Sequence, residues 1–328
     1  MNCLNLSRCG LSICLVALTL TSCGGAAMTA GSPGAGTGTL QTEGANAVNS
    51  AVALGTIPLE QTIYVADLAG DRVTAYGLDG KLAQTITADI NGPFGVTVDK
   101  AGKIYVANTF PHSGGNVTTY TPDGKQTTPT ITAGIAFPLD VVVDKNGKIY
   151  VSNLNNYSGT GFITTYKPDG TQTTPTITAG IAGPFGLAVD ESGKIYVANV
   201  YNNTVTTYKP DGTQTTPTIT TGLDAPSGIA VDANGKIYVT NQVGGRHNTG
   251  SVTTYTPDGK QTTPTITDGI EQSIGVAVDT TGKIYVGNYE GPGNKGGFGS
   301  VTTYAADGKR TTLTITRGIA GAALLALH

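Results

Sequence analysis

Residues 183 to 199 read Gly-Pro-Phe-Gly-Leu-Ala-Val-Asp-Glu-Ser-Gly-Lys-Ile-Tyr-Val-Ala-Asn. Two apolar runs, Leu187 to Val189 and Ile195 to Val197, flank Asp190-Glu-Ser-Gly193. Those four residues offer an aspartate that bonds nearby backbone and a glycine for positive φ, which is the chemistry of a tight hairpin. Both runs are apolar at nearly every position, as expected of a sheet covered on its two faces. Downstream, Pro210-Asp211-Gly212 supplies a second turn. The unit therefore divides into four strands: Gly186 to Asp190, Lys194 to Asn199, Thr204 to Lys209 and Thr213 to Thr220.

The unit recurs. Its tyrosine falls at Tyr64, Tyr105, Tyr150, Tyr196, Tyr238 and Tyr285, spaced by 41, 45, 46, 42 and 47 residues. A period in this range, with short strands, predicts an all-β, six-bladed β-propeller of four-stranded antiparallel blades. The fourth strand is Thr-rich and carries Pro129, Pro175, Pro217 or Pro264. Proline is confined to sheet edges and bulges, so this strand belongs on the outer rim. The first unit has no convincing inner strand before Thr62. Aligning Ile177–Asp190 with Ile315–His328 sets Leu325, Ala326 and Leu327 opposite Leu187, Ala188 and Val189. The ring is accordingly expected to be closed by the C-terminal strand, in preference to Ala51–Ile57.

Residues 1–22 read as a signal peptide, with Arg8 before the apolar Leu11 to Leu20. Leu20-Thr21-Ser22-Cys23 resembles a bacterial lipobox, which makes Cys23 the lipidated first residue of the mature chain. Cys3, Cys9, Cys14 and Cys23 are the only cysteines, so the mature chain would hold one and no intramolecular disulfide. Residues 23–54, rich in Gly, Ala, Thr and Ser, read as a flexible tether. Residues 55–328 form the propeller. Two or more acyl chains on one residue attach a protein stably to a membrane without spanning it. The expected location is lipid-anchored after secretion, in a bacterial outer membrane facing the periplasm or the cell surface. With 12% charged residues, a net charge of −3 and no Lys/Arg cluster, nucleic acid is excluded as a partner.

From the Thr-Thr-Tyr tyrosine (or its equivalent) to the next Ile-Tyr-Val tyrosine the distance is 29, 30, 30, 30 and 30 residues. Within a blade, from the second strand to the third, it is 12, 15, 16, 12, 17 and 19. Length variation thus sits in the loops joining strands two and three, on the face that also carries the crossovers between blades. Loops held on a rigid scaffold are where binding residues concentrate. Candidates there are Phe110 and His112; Tyr157 and Phe162; Tyr201; Arg246 and His247; Tyr289, Glu290, Lys295 and Phe298.

Each second strand ends in Asp67, Asn108, Asn153, Asn199, Asn241 or Asn288, read chiefly as caps for backbone groups. Asp99, Asp144, Asp190, Asp232 and Asp279 open the opposite turns as Asx turns. One copy breaks the pattern: where four blades have Gly95, Gly186, Gly228 and Gly275, another has Asp140. Its carboxylate is expected near the upper mouth of the central channel, where Glu271 and Glu290 could join it as oxygen ligands for calcium. His112, His247 and His328 are the only histidines, none at catalytic or metal-ligand spacing to another, and no Ser-His-Asp, Gly-x-Ser-x-Gly or Walker pattern occurs.

The unit at residues 183–199 resembles an NHL repeat, and similar copies cover the chain from about Ile63 to its end. The resemblance implies a propeller and, among functions, extracellular ligand binding or scaffolding. Calcium-dependent lactonases of the gluconolactonase type are similar six-bladed propellers, and streptogramin lyases share Gly-Pro-x-Gly-Ile units. Those enzymes hold metal through acidic, amide or histidine residues on the channel face, where only Asp140 breaks the pattern here. The first reading is a monomeric, membrane-anchored envelope module, without a cofactor, that recognises protein, peptide or glycan through the variable-loop face. A calcium-dependent hydrolase or lyase and a structural surface protein are the alternatives.

Overall fold

Alternating apolar strands and Asp/Gly turns build six four-stranded antiparallel sheets arranged as a ring. The structure is a computed structural model and describes residues 62–109, 114–155, 159–242, 250–289 and 299–328. Blade 1 holds β1 (Thr62–Asp67), β2 (Arg72–Gly77) and β3 (Leu82–Ile86). Blade 2 holds β4 (Pro93–Val98), β5 (Ile104–Asn108), β6 (Asn116–Tyr120) and β7 (Gln126–Ile131). Blade 3 holds β8 (Pro138–Val143), β9 (Ile149–Asn153), β10 (Phe162–Tyr166) and β11 (Gln172–Ile177). Blade 4 holds β12 (Pro184–Val189), β13 (Ile195–Asn199), β14 (Thr204–Tyr208) and β15 (Gln214–Ile219). Blade 5 holds β16 (Pro226–Val231), β17 (Ile237–Asn241), β18 (Ser251–Tyr255) and β19 (Gln261–Ile266). Blade 6 holds β20 (Ser273–Val278), β21 (Ile284–Asn288), β22 (Ser300–Tyr304) and β23 (Arg310–Ile315).

The last strand, β24 (Ala322–Leu327), becomes the inner strand of blade 1. It pairs antiparallel with β1, Ile63 opposite Leu327, Tyr64 opposite Ala326 and Val65 opposite Leu325. The closure expected from the sequence is therefore the one formed. Asp67 secures it, because one carboxylate oxygen accepts the N–H groups of Ala320 and Gly321 at 2.9 and 2.7 Å. The other oxygen pairs with Arg72 Nε at 2.8 Å.

Two side-chain contacts recur and lock neighbouring blades. The third-strand tyrosines donate to a carbonyl in the crossover that precedes their own blade: Tyr120 to Ala88, Tyr166 to Ala133, Tyr208 to Ala179, Tyr255 to Thr221 and Tyr304 to Asp268. Tyr76 does the same to Arg317, across the closure. The outer-strand prolines pack on the turn glycines of the next blade, so that a Cβ on Gly170 would lie 2.5 Å from Pro129 Cβ. In those four proline-bearing outer strands the middle bulges, and a third-strand hydroxyl such as Thr119 Oγ1 fastens the bulge by donating to Thr127 O and Pro129 O.

The lower turns are Asx turns, as expected from the sequence. Asp99 Oδ1 accepts the N–H groups of Ala101 and Lys103, and its Oδ2 accepts the Tyr105 hydroxyl at 3.0 Å. Lys103 Nζ lies 5.4 Å from the centre of the Tyr105 ring and donates to Thr128 O. Lys–Tyr contacts of the same kind repeat in blades 3 to 6. Burial and the adjacent carboxylate hold the Tyr105 hydroxyl far above its usual range, and burial draws the Lys103 ammonium below its own.

Candidate functional site

The inner strands meet around the central channel at two levels. At the upper level, the second residue of each strand is buried: Phe94, Leu139, Phe185, Ser227, Ile274 and Ala323. The rings of Phe94 and Phe185, from blades 2 and 4, meet edge to face with centroids 5.1 Å apart. They are 6% and 3% exposed. Leu139, Leu154, Val200, Ile274 and Ala323 join the same cluster, with Leu68, Phe137 and Tyr289 packed against it. An apolar plug thus seals the channel from the upper face.

One residue further along, the strands come closest. A Cβ on Gly186 would fall 2.3 Å from Ser227 O, one on Gly228 2.4 Å from Ile274 O, and one on Gly275 2.5 Å from Ala323 O. Glycine at this level is a requirement of backbone approach. Asp140 and Leu324 are the two larger residues in the ring. Beneath them lies a cavity of about 250 Å³ lined by all six inner strands, with Asp140 and Thr97 its polar side chains.

Asp140 is not a free ligand at an open upper mouth. It sits at the waist, below the plug, only 5% exposed. Its Oδ1 accepts the N–H of Val141 at 2.8 Å and its Oδ2 that of Leu187, in the next blade, at 2.7 Å. The Asp140 N–H donates to Ser152 Oγ, which donates to Phe185 O. Burial pushes the carboxyl up to about 8, against the pull of the two N–H bonds. The residue stitches blade 3 to blade 4 at a waist where blades 2, 4, 5 and 6 have glycine in close backbone contact.

The second-strand asparagines likewise act as caps. Asn108, Asn153, Asn199, Asn241 and Asn288 each accept, through Oδ1, an N–H in the crossover leading into their own blade: those of Asn91, Ala136, Ala182, Asp224 and Glu271, at 2.9 to 3.1 Å. The amide nitrogens donate within the sheet, for instance Asn108 to Thr118 Oγ1 and Asn199 to Thr206 Oγ1. The constant separation of 17 residues between cap and crossover accounts for the near-constant 30-residue spacing in the sequence.

A bound calcium needs six to eight oxygen ligands. The described side chains of the channel do not supply them. The Asp140 oxygens and the asparagine carbonyls hold backbone N–H groups, and the upper level is apolar except for Ser227, whose hydroxyl is taken up by Thr240 Oγ1 and Ser273 O. Among the described residues, no three of His, Cys, Asp and Glu gather closely enough to hold a metal. Glu271 lies half-buried on its crossover and joins no such group with Asp140; Glu290 lies outside the described residues.

Among the binding candidates, Tyr201 is 38% exposed, with its ring over Gly183, where a Cβ would fall 2.1 Å from Tyr201 Cδ2. Tyr289 is half-buried, packed against the plug and over Gly321. Phe162 is not a loop residue: it opens β10, paired with Asn153, and is half-buried. Phe110, His112, Tyr157, Arg246, His247, Lys295 and Phe298 lie outside the described residues. The plug residues and Phe137 were missed by sequence reasoning, although the aromatic after Pro93 and Pro184 was the available signal.

The geometry defines a six-bladed β-propeller with a plugged channel. A family model described as SMP-30/Gluconolactonase/LRE-like region matches residues 137–274, less than half of the chain. No curated protein matches the sequence. Among solved structures, a chain of a nidogen/laminin complex is similar at 16% identity and a TM-score of 0.62, covering 81% of this chain and 97% of that one. A gluconolactonase from Xanthomonas campestris is similar at 19% identity and a TM-score of 0.53, covering 69% and 79%. A virginiamycin B lyase from Staphylococcus aureus is similar at 16% identity and a TM-score of 0.52, covering 70% and 72%. At such identities the likeness is one of fold.

Proposed function

We propose that this protein is a membrane-anchored binding module of the cell envelope, acting as a monomer. The propeller serves as a rigid platform, and the loops between second and third strands recognise a protein, peptide or glycan. The observation that carries this reading is a channel closed on its upper side: Phe94 and Phe185 pack across it there, and its one described carboxylate is committed to backbone N–H groups. Among the described residues, the axis has no open approach from the upper face, whereas the loops joining second to third strands differ in length from blade to blade. Lipidation of Cys23 supplies the anchor in this account. The nidogen/laminin neighbour supports a binding role, since a similar propeller forms part of that complex.

A calcium-dependent hydrolase or lyase is the second reading, favoured by the family match over residues 137–274, which includes Asp140. The two separate experimentally. Binding requires that Tyr201→Ala reduce capture of an envelope partner while leaving the unfolding midpoint close to wild type. Hydrolysis requires turnover of a lactone such as glucono-1,5-lactone that is lost on chelation. Anchoring is checked by labelling cells with an alkyne-tagged palmitate: wild type should carry the label, and Cys23→Ala should not. Label retained by Cys23→Ala would remove the anchor from the account.

A further inference from the structure

In the crossover entering each blade, the third residue after the isoleucine that ends the outer strand adopts a left-handed backbone. Five blades use glycine there: Gly134, Gly180, Gly222, Gly269 and Gly318, with φ from 67 to 77°. Blade 2 uses Asp89, with φ 51°. In blades 3 to 6 a long polar side chain from the outer strand fills the space a side chain would need. A Cβ would fall 2.6 Å from Gln172 Nε2, 2.9 Å from Gln214 Oε1, 2.6 Å from Gln261 Oε1 and 2.6 Å from Arg310 Nη1. At Asp89 the Cβ is present, so the corresponding Gln126 cannot lie there. A shallow, open cavity of about 530 Å³ lies at this place, lined by the exposed Asp89, Asn91, Gln126 and Thr130 and the half-buried Asn116 among others.

We infer that this cavity, between the crossover from blade 1 and the outer strands of blade 2, binds a neutral saccharide unit. The site is independent of the upper-loop surface proposed above. Its chemistry separates a sugar from a cation. Asn116 Oδ1 already accepts Asn108 Nδ2 at 2.9 Å, so Asn116 offers its amide hydrogens to the cavity. Gln126 and Thr130 carry donors and acceptors alike, and the Asp89 carboxylate only acceptors. Mixed donors and acceptors suit hydroxyl groups, each of which both gives and takes a hydrogen bond. A bare cation takes acceptors alone and would meet a single carboxylate.

The experiment is isothermal titration of the full chain and of Asp89→Gly with D-glucose, D-galactose, D-mannose and N-acetyl-D-glucosamine at millimolar concentration, and with calcium chloride. Asp89→Gly restores the residue of the other five blades and lets Gln126 fold into the cavity, so this variant should unfold at the same temperature or higher. The expected result is saturable binding of at least one sugar by wild type and a loss of ten-fold or more in Asp89→Gly. Overturning results are no saturable binding of any of the four sugars, sugar binding unchanged in Asp89→Gly, or calcium as the sole ligand.

Discussion

Asp140 makes a sharp test of the waist. Its carboxyl is pushed up to about 8 by burial, against an ordinary value of 3.8. The folded chain therefore holds the proton more tightly than the unfolded chain, and the sign follows from linkage. Below pH 4 both states are protonated and the group adds no penalty. Between about pH 4 and 8 the unfolded state ionises first, so stability falls as pH rises, by about 1.4 kcal/mol per pH unit. Above pH 8 both forms are ionised and the loss levels off, on the order of 5 kcal/mol in all. For a domain of this size the slope amounts to roughly 3 to 6 °C in Tm per pH unit. Asp140→Gly installs the residue of four other blades and removes the titrating group, so subtracting its urea unfolding free energy from that of wild type cancels the other carboxylates. The difference should fall steadily from pH 4.5 to 7.5. Parallel curves would refute the reasoning. So would a difference that grows with pH, because the N–H bonds from Val141 and Leu187 would then outweigh burial.

The plug and the caps carry their own expectations. Phe94→Ala removes a ring that meets Phe185 across the axis and should cost about 3 to 5 kcal/mol in urea unfolding; a cost under about 1 kcal/mol would mean the plug is loosely packed. Asn199→Ala leaves the Ala182 N–H without its acceptor and should cost about 1 to 3 kcal/mol. Faster amide hydrogen exchange at Ala182, against unchanged exchange in β16, would locate that effect.

The architecture was legible because each blade repeats the same physics. Tyrosines at a regular period mark second strands, Asp and Gly mark the lower turns, and proline marks the outer edge. The C-terminal closure was legible from Leu325 to Leu327, since a single inner strand was missing at the start of the repeat array. The site was less legible, for reasons of geometry. Asp140 stood out as a break in the glycine pattern, but its partner Leu187 N–H lies 47 residues away and has no sequence signature. Phe94 and Phe185 meet only because the ring brings blades 2 and 4 together at the axis, and the intervening position is Leu139. Phe162 read as a loop residue because the length variation ends beside it, whereas the Asn153 pairing extends β10 to include it. Asp89 was silent in the sequence, because the left-handed conformation that makes it unusual belongs to the crossover geometry.

The claim that this propeller binds rather than catalyses at its axis is tested most directly by metal. Thermal unfolding of the full chain with excess calcium and with chelator, together with elemental analysis, is the measurement. The expected result is one unfolding midpoint in both conditions and no stoichiometric metal. A ligand at one hundred times its dissociation constant adds about 2.7 kcal/mol of stability. A chelator-sensitive rise of several degrees, with one calcium per chain and its loss in Asp140→Gly, would contradict the account and place a metal centre at the channel.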